Sequence, residues 1–258
     1  MSRFAILAAL LAVMPLFADT AADEAEGIGL EEFLSSSESV LAGEYSAADV
    51  LAASRAMLPD RPMELTGAIV RRSRKGFTKQ ECDWRLTLNR GVSPAVLTVA
   101  FYKRGEMDLW RGQGGDLTRL PNAIMETTLS RPGEVPSGHI METDVTWWDL
   151  TLDFLWWNDP RFETEREGES VHGQKCAVIL VTPPEKVEGI SAVRLWAEKK
   201  TGALMQAEAL GEDGNPVRRL WGTRVRKFGE RWMANILEVE TIGTHHRTKI
   251  IVNSLREI

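Results

Sequence analysis

Between Thr143 and Trp157 the chain reads Thr-Asp-Val-Thr-Trp-Trp-Asp-Leu-Thr-Leu-Asp-Phe-Leu-Trp-Trp, and four of its nine tryptophans stand in that one run. Thr146 is placed to cap a helix, with Asp149 three residues on as the reciprocal half of a capping box. At about 100° per residue, Trp147, Leu150, Phe154 and Trp157 line one side of that helix, and Trp148, Leu152 and Leu155 line another. Only Asp149, Thr151 and Asp153 interrupt the apolar ring. A helix this apolar is buried or covers an apolar cavity. A helix that plugs a solid core fits the pattern equally well.

The surrounding chain alternates with a period of about 2 rather than 3.6 from Met63 onward. Cys82, Trp84, Leu86 and Leu88 alternate with polar neighbours, which predicts a half-buried strand. Val96 to Tyr102 predicts a second, and Met107 to Arg111 a shorter one. Residues 112–140, rich in Gly and Pro, are the least readable. After a break at Asn158-Asp159-Pro160, strands are expected at 162–170, 174–182, 190–198, 203–210, 216–228, 231–241 and 245–255. Short Gly-bearing turns at Lys200-Thr201-Gly202, Asp213-Gly214-Asn215 and Phe228-Gly229-Glu230 make this an antiparallel meander. Upstream, Ser46 caps an amphipathic helix over Ala47 to Leu58, ended by Pro59.

The N-terminus has a different character. Arg3 followed by the apolar stretch Phe4 to Phe17 has the form of a signal peptide, residues 1–18, with cleavage possible to Ala22. That stretch is too short to span a bilayer comfortably. No cysteine follows it to carry a lipid anchor, so a soluble exported product is expected. Residues 19–45 read as an acidic linker, and 46–258 as a single domain. Residues 19–54 hold nine acids and no Lys or Arg, and the remainder from 55 onward carries 30 basic against 28 acidic residues. A body this near neutrality excludes the basic stripe of a nucleic-acid binder. The cluster Arg71-Arg72-Ser73-Arg74-Lys75 reads first as a solvated hairpin end, and second as a contact with an anionic membrane.

Catalytic chemistry finds little support. His245 and His246 are adjacent on an expected strand and point to opposite faces. No His or Cys spacing suits a metal, and no nucleophile elbow is present. No cofactor is implied. Glu142, Asp144, Asp149 and Asp153 beside the tryptophans could serve a carbohydrate-binding module or a glycosidase. Their simpler reading is support of a helix N-terminus. Trp84, Trp110, Trp196, Trp221 and Trp232 each sit in or beside an alternating strand, as cavity lining or as core. Cys82 and Cys176 form a disulfide if they lie on neighbouring strands with Cα atoms within about 7 Å, and otherwise are buried thiols.

The order of these parts resembles the LolA-like periplasmic carriers, the outer-membrane lipoprotein-sorting proteins, and in particular their larger, poorly characterised branch. Asp144, Thr146, Trp147, Asp149 and Leu150 match the segment that opens the helix in that branch. Val193 to Trp196, Gly214 to Arg219, Trp232-Met233 and Arg247-Thr248 match later segments. The resemblance covers residues 46–258. It implies a mainly β (α+β) fold: a strongly curved antiparallel sheet, an unclosed barrel, with helices packed in its concave face. It also implies a periplasmic monomer that binds a lipid or lipoprotein acyl chain by non-covalent contact and is not an enzyme. An inner-membrane transporter and an outer-membrane acceptor are the implied partners. The cavity and its lid helix are then expected to use Trp147, Trp148, Leu152, Phe154, Leu155, Trp84, Leu86, Trp110, Trp196 and Trp221. A ligand-free envelope scaffold is the remaining alternative.

Overall fold

The computed structural model describes residues 41, 44–58, 61–73, 75–89, 95–105, 123–131, 138–185, 187, 189–229, 231–244 and 246–258. The expected signal peptide, most of the acidic linker, the strand expected at Met107–Arg111 and Trp110 lie outside these residues.

Helix α1 (Ala47–Ala56) starts at Ser46, whose hydroxyl accepts the Asp49 N–H while the Asp49 carboxylate takes the Ser46 N–H at 2.8 Å. It stops two residues before Leu58, with Met57 as its C-cap. The strands that follow are β1 (Met63–Arg72), β2 (Thr78–Asn89), β3 (Ala95–Lys103) and β4 (Met125–Arg131). Helix α2 (Trp147–Thr151) comes next, then β5 (Asn158–Phe162), β6 (Ser170–Val171), β7 (Gln174–Thr182), β8 (Ala192–Glu198), β9 (Leu204–Leu210), β10 (Pro216–Phe228), β11 (Arg231–Thr241) and β12 (Arg247–Glu257). Eleven strands form the order β4-β3-β2-β1-β12-β11-β10-β9-β8-β7-β5, with β6 paired to β7. Neighbouring strands such as β1 and β12, β1 and β2, and β7 and β8 pair antiparallel, and the order ends at two different strands, so the sheet is not closed into a barrel.

Packing divides the chain into two compact units, Met1–Leu58 with Phe154–Leu237, and Pro59–Asp153 with Glu238–Ile258. In the first, α1 packs on β5 and β7. Ser54 donates to the Gly202 carbonyl at 2.8 Å, and a Cβ on Gly202 would lie 2.6 Å from the Ala53 Cβ, so this turn admits only glycine beneath the helix. In the second, β1 is buried on both faces from Met63 to Val70. Its register shifts between Thr66 and Gly67. A Cβ at Gly67 would come within 1.8 Å of the Ile251 carbonyl oxygen.

Two sequence expectations are corrected. The region 162–170 is not one strand. It bends through a 3-10 turn, Thr164–Arg166, because Glu163, Arg166 and Glu169 turn their side chains back onto Arg194 and Trp196. Asn158-Asp159-Pro160 is not a break but part of edge strand β5, where a register shift and a positive φ at Asp159 absorb the proline. An edge position is where a strand tolerates the missing N–H. Strand β4 lies within residues 112–140, where the sequence shows no clear period. The conditional expectation for the cysteines resolves to buried thiols: Cys82 and Cys176 are free. Cys82 is on β2, whose neighbours are β1 and β3, and Cys176 is on β7, whose neighbours are β8, β5 and β6, so the condition for a bridge is unmet.

Candidate functional site

In an antiparallel pair, residues directly opposite share a face. Leu65, Gly67 and Ile69 of β1 stand opposite Leu86, Trp84 and Cys82 of β2. Trp84 and Leu86 in turn stand opposite Phe101 and Val99 of β3. Ile69 also faces Ile250 of β12. All of these side chains are buried. The second unit therefore presents one broad apolar sheet face with Trp84 at its centre.

Residues 139–152 lie on that face. A tight loop forms first. His139 bridges to Thr146, Ile140 N–H donates to the Val145 carbonyl at 2.7 Å, and the Thr143 hydroxyl donates to the Ile140 carbonyl at 2.7 Å. The capping box expected at Thr146 and Asp149 is formed, with the Asp149 carboxylate accepting the Thr146 N–H at 2.7 Å and its hydroxyl at 2.9 Å. The Trp147 ring then meets Phe101 edge-on at 6.0 Å, which identifies the apolar face as the one beneath the segment.

One buried polar connection joins the loop to β12. The Asp144 N–H donates to the Thr248 hydroxyl at 3.0 Å, and that hydroxyl donates to the Asp144 carboxylate at 2.8 Å. Arg71 Nε is 3.9 Å from the same carboxylate and makes no hydrogen bond, while the far end of its guanidinium meets His246 Nδ1 at 3.2 Å. Arg71 and Thr248 are themselves opposite on β1 and β12. Asp144 is thus a docking residue rather than the helix-end charge its position suggested.

The continuous tryptophan helix is also corrected. Helix α2 ends at Thr151, where Leu152 takes a left-handed conformation with φ 54°. A 3-10 turn, Asp153–Trp156, follows. The left-handed residue breaks the helical phase, so the two apolar stripes do not continue past it. Burial, rather than helical phase, is what the residues share: Trp147, Leu152, Phe154, Leu155 and Trp157 are all buried, and Trp148 is half-buried.

The expected cavity residues therefore divide. Trp147, Leu152, Trp84 and Leu86 belong to the second unit, as does Trp148. Phe154, Leu155, Trp196 and Trp221 belong to the first. There, Trp196 and Trp221 both stand opposite Gln206. Trp196 packs with Cys176, Val178 and Met205. Its Nε1 donates to Glu169 at 2.8 Å, and Arg194 lies 5.7 Å from its ring centre. Trp84, by contrast, keeps a buried Nε1 with no hydrogen-bond partner. Phe101, Thr248, Arg71 and Asp144 in its docking role escaped the sequence reading. Phe101 sat within an expected strand, and Thr248 within a segment matched to the carriers, but nothing local marked either as a partner of the tryptophan segment.

Residues 123–257 match the model of a family described as an uncharacterized protein, and that span is more than half the chain. No curated protein matches the chain. Among solved structures, a DUF1329 family protein from Desulfovibrio piger is similar at TM-score 0.60 and 14% identity, over 82% of this chain and 91% of that one. A LolA superfamily protein from Nitrosomonas europaea is similar at TM-score 0.56 and 10% identity, over 83% and 94%. An outer membrane lipoprotein-sorting protein domain from Vibrio parahaemolyticus is similar at TM-score 0.54 and 12% identity, over 76% and 85%. At these identities the likeness is one of fold.

Proposed function

We propose that this chain, which belongs to the uncharacterized-protein family matched over residues 123–257 and carries the fold of the LolA superfamily, shields the acyl chain of a lipid or lipoprotein between envelope membranes. The observation that carries this reading is the seating of residues 139–152 on a largely apolar sheet face, tied to β12 by the buried Asp144–Thr248 pair. Parting that pair exposes the face on which Trp84, Leu86 and Phe101 lie. An acyl chain taking the place of the lid gains about 0.8 kcal/mol for each CH₂ it buries. The unpartnered Trp84 Nε1 offers a buried donor to the ester end of such a ligand.

The action is binding, not bond-making. Of the carboxylates that a glycosidase would need, Asp144 is engaged by Thr248 and Asp149 by its own helix cap. The protein works in the periplasm, delivered there by the segment Arg3 to Phe17. It takes its load from an inner-membrane transporter and passes it to an outer-membrane acceptor. No described helix is long and apolar enough to cross a membrane.

The test is displacement of a fluorescent fatty-acid probe, together with mass spectrometry of lipid extracted from protein purified from its native envelope. The parent protein binds the probe and carries acyl chains. Leu152→Asp abolishes binding, since a buried charge costs several kcal/mol, while Asp153→Asn leaves it intact. Circular dichroism verifies folding of both. A parent that binds no probe and carries no lipid overturns the reading. Glycan binding or hydrolysis that disappears in Asp153→Asn would put the carbohydrate reading in its place.

A further inference from the structure

A second site lies on the other face of the same sheet region, at one end of the second unit. Arg72 and Ser73, at the turn from β1 to β2, line a cleft of about 490 Å³. Glu238 and Glu240 of β11, and Arg247 and Lys249 of β12, complete its wall with Gly76. Arg72 and Arg247 stand directly opposite on β1 and β12. Arg71, one position away, shares the lid-bearing face with Thr248, so Arg72 points to the opposite one.

The charges in this cleft do not cancel. Lys249 is held by Glu238 at 3.1 Å, and Arg247 lies 3.7 Å from both Glu238 and Glu240. The Arg72 guanidinium has no partner among the described residues, and Ser73 keeps a buried hydroxyl with no hydrogen bond. The cleft therefore holds one surplus positive charge, one free hydroxyl donor and two further cations already fixed in place. That donor set suits a phosphate oxygen cluster, for which guanidinium is the best-matched side chain.

The rim has a different chemistry. The turn from β1 to β2 carries Phe77, which is 68% exposed, and the turn from β11 to β12 carries Ile242, which is 43% exposed. Because β1 and β12 are antiparallel neighbours paired at Arg72 and Arg247, both turns project from the same end of the sheet. Lys75 and Lys79 flank Phe77 and are exposed. Two apolar side chains on adjacent hairpin tips, one of them flanked by lysines and both backed by an anion cleft, match the layering of a bilayer surface. Its acyl boundary lies inside its phosphates.

We propose that this end of the protein docks on an anionic phospholipid surface, with Phe77 and Ile242 entering the interface and a headgroup phosphate seated against Arg72 and Ser73. It concerns different residues from the acyl-chain site and does not depend on it. Charge near such a membrane is worth about fivefold in affinity per residue, so reversal at one position is worth about 25-fold.

Vesicle flotation of the full chain tests it, with phosphatidylcholine alone, phosphatidylcholine with phosphatidylglycerol, and inorganic phosphate as a soluble competitor. The expected result is binding to the mixed vesicles only, weakened by salt, weakened about 25-fold by Arg72→Glu and lost in the double variant Phe77→Ser, Ile242→Ser. Both variants alter exposed side chains, and circular dichroism confirms that they fold. Fatty-acid probe binding stays at the parent level in each, which separates this proposal from the acyl-chain reading. Equal binding to neutral vesicles, or binding indifferent to both variants, overturns it. Calorimetric binding of inorganic phosphate without any vesicle binding also overturns the membrane contact and leaves a free-phosphate site.

Discussion

Trp84 and Trp196 occupy similar alternating positions in their strands, and both are almost fully buried, at 1% and 3% exposure. Their surroundings differ in kind. Around Trp196 every polar group is engaged. Its indole N–H meets Glu169, Arg194 meets Glu163 and Glu208, and Arg219, directly opposite on β10, also meets Glu208. Arg166 and Arg194 lie over its ring. Around Trp84 the sheet face is apolar, the indole N–H is unpaired, and the polar tie across that face to the covering segment is Asp144 with Thr248 and Arg71. A saturated network holds its members in one arrangement. A largely apolar face is held mainly by contacts that an apolar ligand can replace. The first arrangement is a scaffold, and the second is the form that a reversible binding site takes.

The largest effect that distinguishes the two regions should come from Arg194→Ala. It removes the cation shared by Glu163 and Glu208, leaving Arg219 on Glu208 and Arg166 near Glu163, and a loss of about 3 kcal/mol in urea unfolding is expected. Thr248→Val removes both hydrogen bonds to Asp144 but leaves the apolar face whole. It should cost about 1–3 kcal/mol and speed release of the fatty-acid probe. Probe exchange at the parent rate would break the comparison, because the tie would then not restrain the lid.

The same substitution in both places sharpens it further. Trp196→Phe removes the N–H donor to one Glu169 oxygen and weakens the contact with two guanidinium groups, whereas Trp84→Phe removes a donor that had no partner. Trp196→Phe should cost about 1 kcal/mol more than Trp84→Phe in matched melts. Equal losses would mean that the indole N–H contributes nothing in either setting.

The titrating groups give smaller effects. Burial pushes the Cys82 thiol up to about 11 and the Cys176 thiol up to about 12, from an ordinary 9.0. The folded protein then holds protons that the unfolded chain has released, so this contribution is full below about pH 9 and is lost as pH rises through those folded values. Unfolding curves in alkali should show the loss in the parent and a flatter profile in the double variant Cys82→Ala, Cys176→Ala. Both thiols should resist alkylation at neutral pH while the protein is folded.

His172 gives the smallest effect and the opposite sign. Burial lowers its pKa from 6.5, so its stabilising share is present above pH 6.5 and falls away as pH drops through the folded value. The residue has φ 51°, which asparagine also tolerates, so His172→Asn should fold and lose part of the parent's acid sensitivity in melts at pH 7 and pH 5. An unchanged pH dependence would place the acid response elsewhere.

What the sequence determined by itself is local. Ser46 with Asp49 and Thr146 with Asp149 cap helices where expected, since a capping box is complete within four residues. Strands 174–182, 216–228 and 231–241 fall where alternation placed them, and Cys82, Trp84 and Leu86 share a face because the side-chain period of a strand is two. Tertiary structure decided the rest. Leu152 ends the tryptophan helix by a left-handed turn that no neighbouring glycine announced. Glu163, Arg166 and Glu169 abandon a plausible strand for partners on β8. Asp144 serves Thr248, 104 residues away, rather than the helix beside it. Periodicity records which way each side chain points within its own element. Which distant side chain it meets depends on strand order, and strand order is set by the summed burial of the whole sheet.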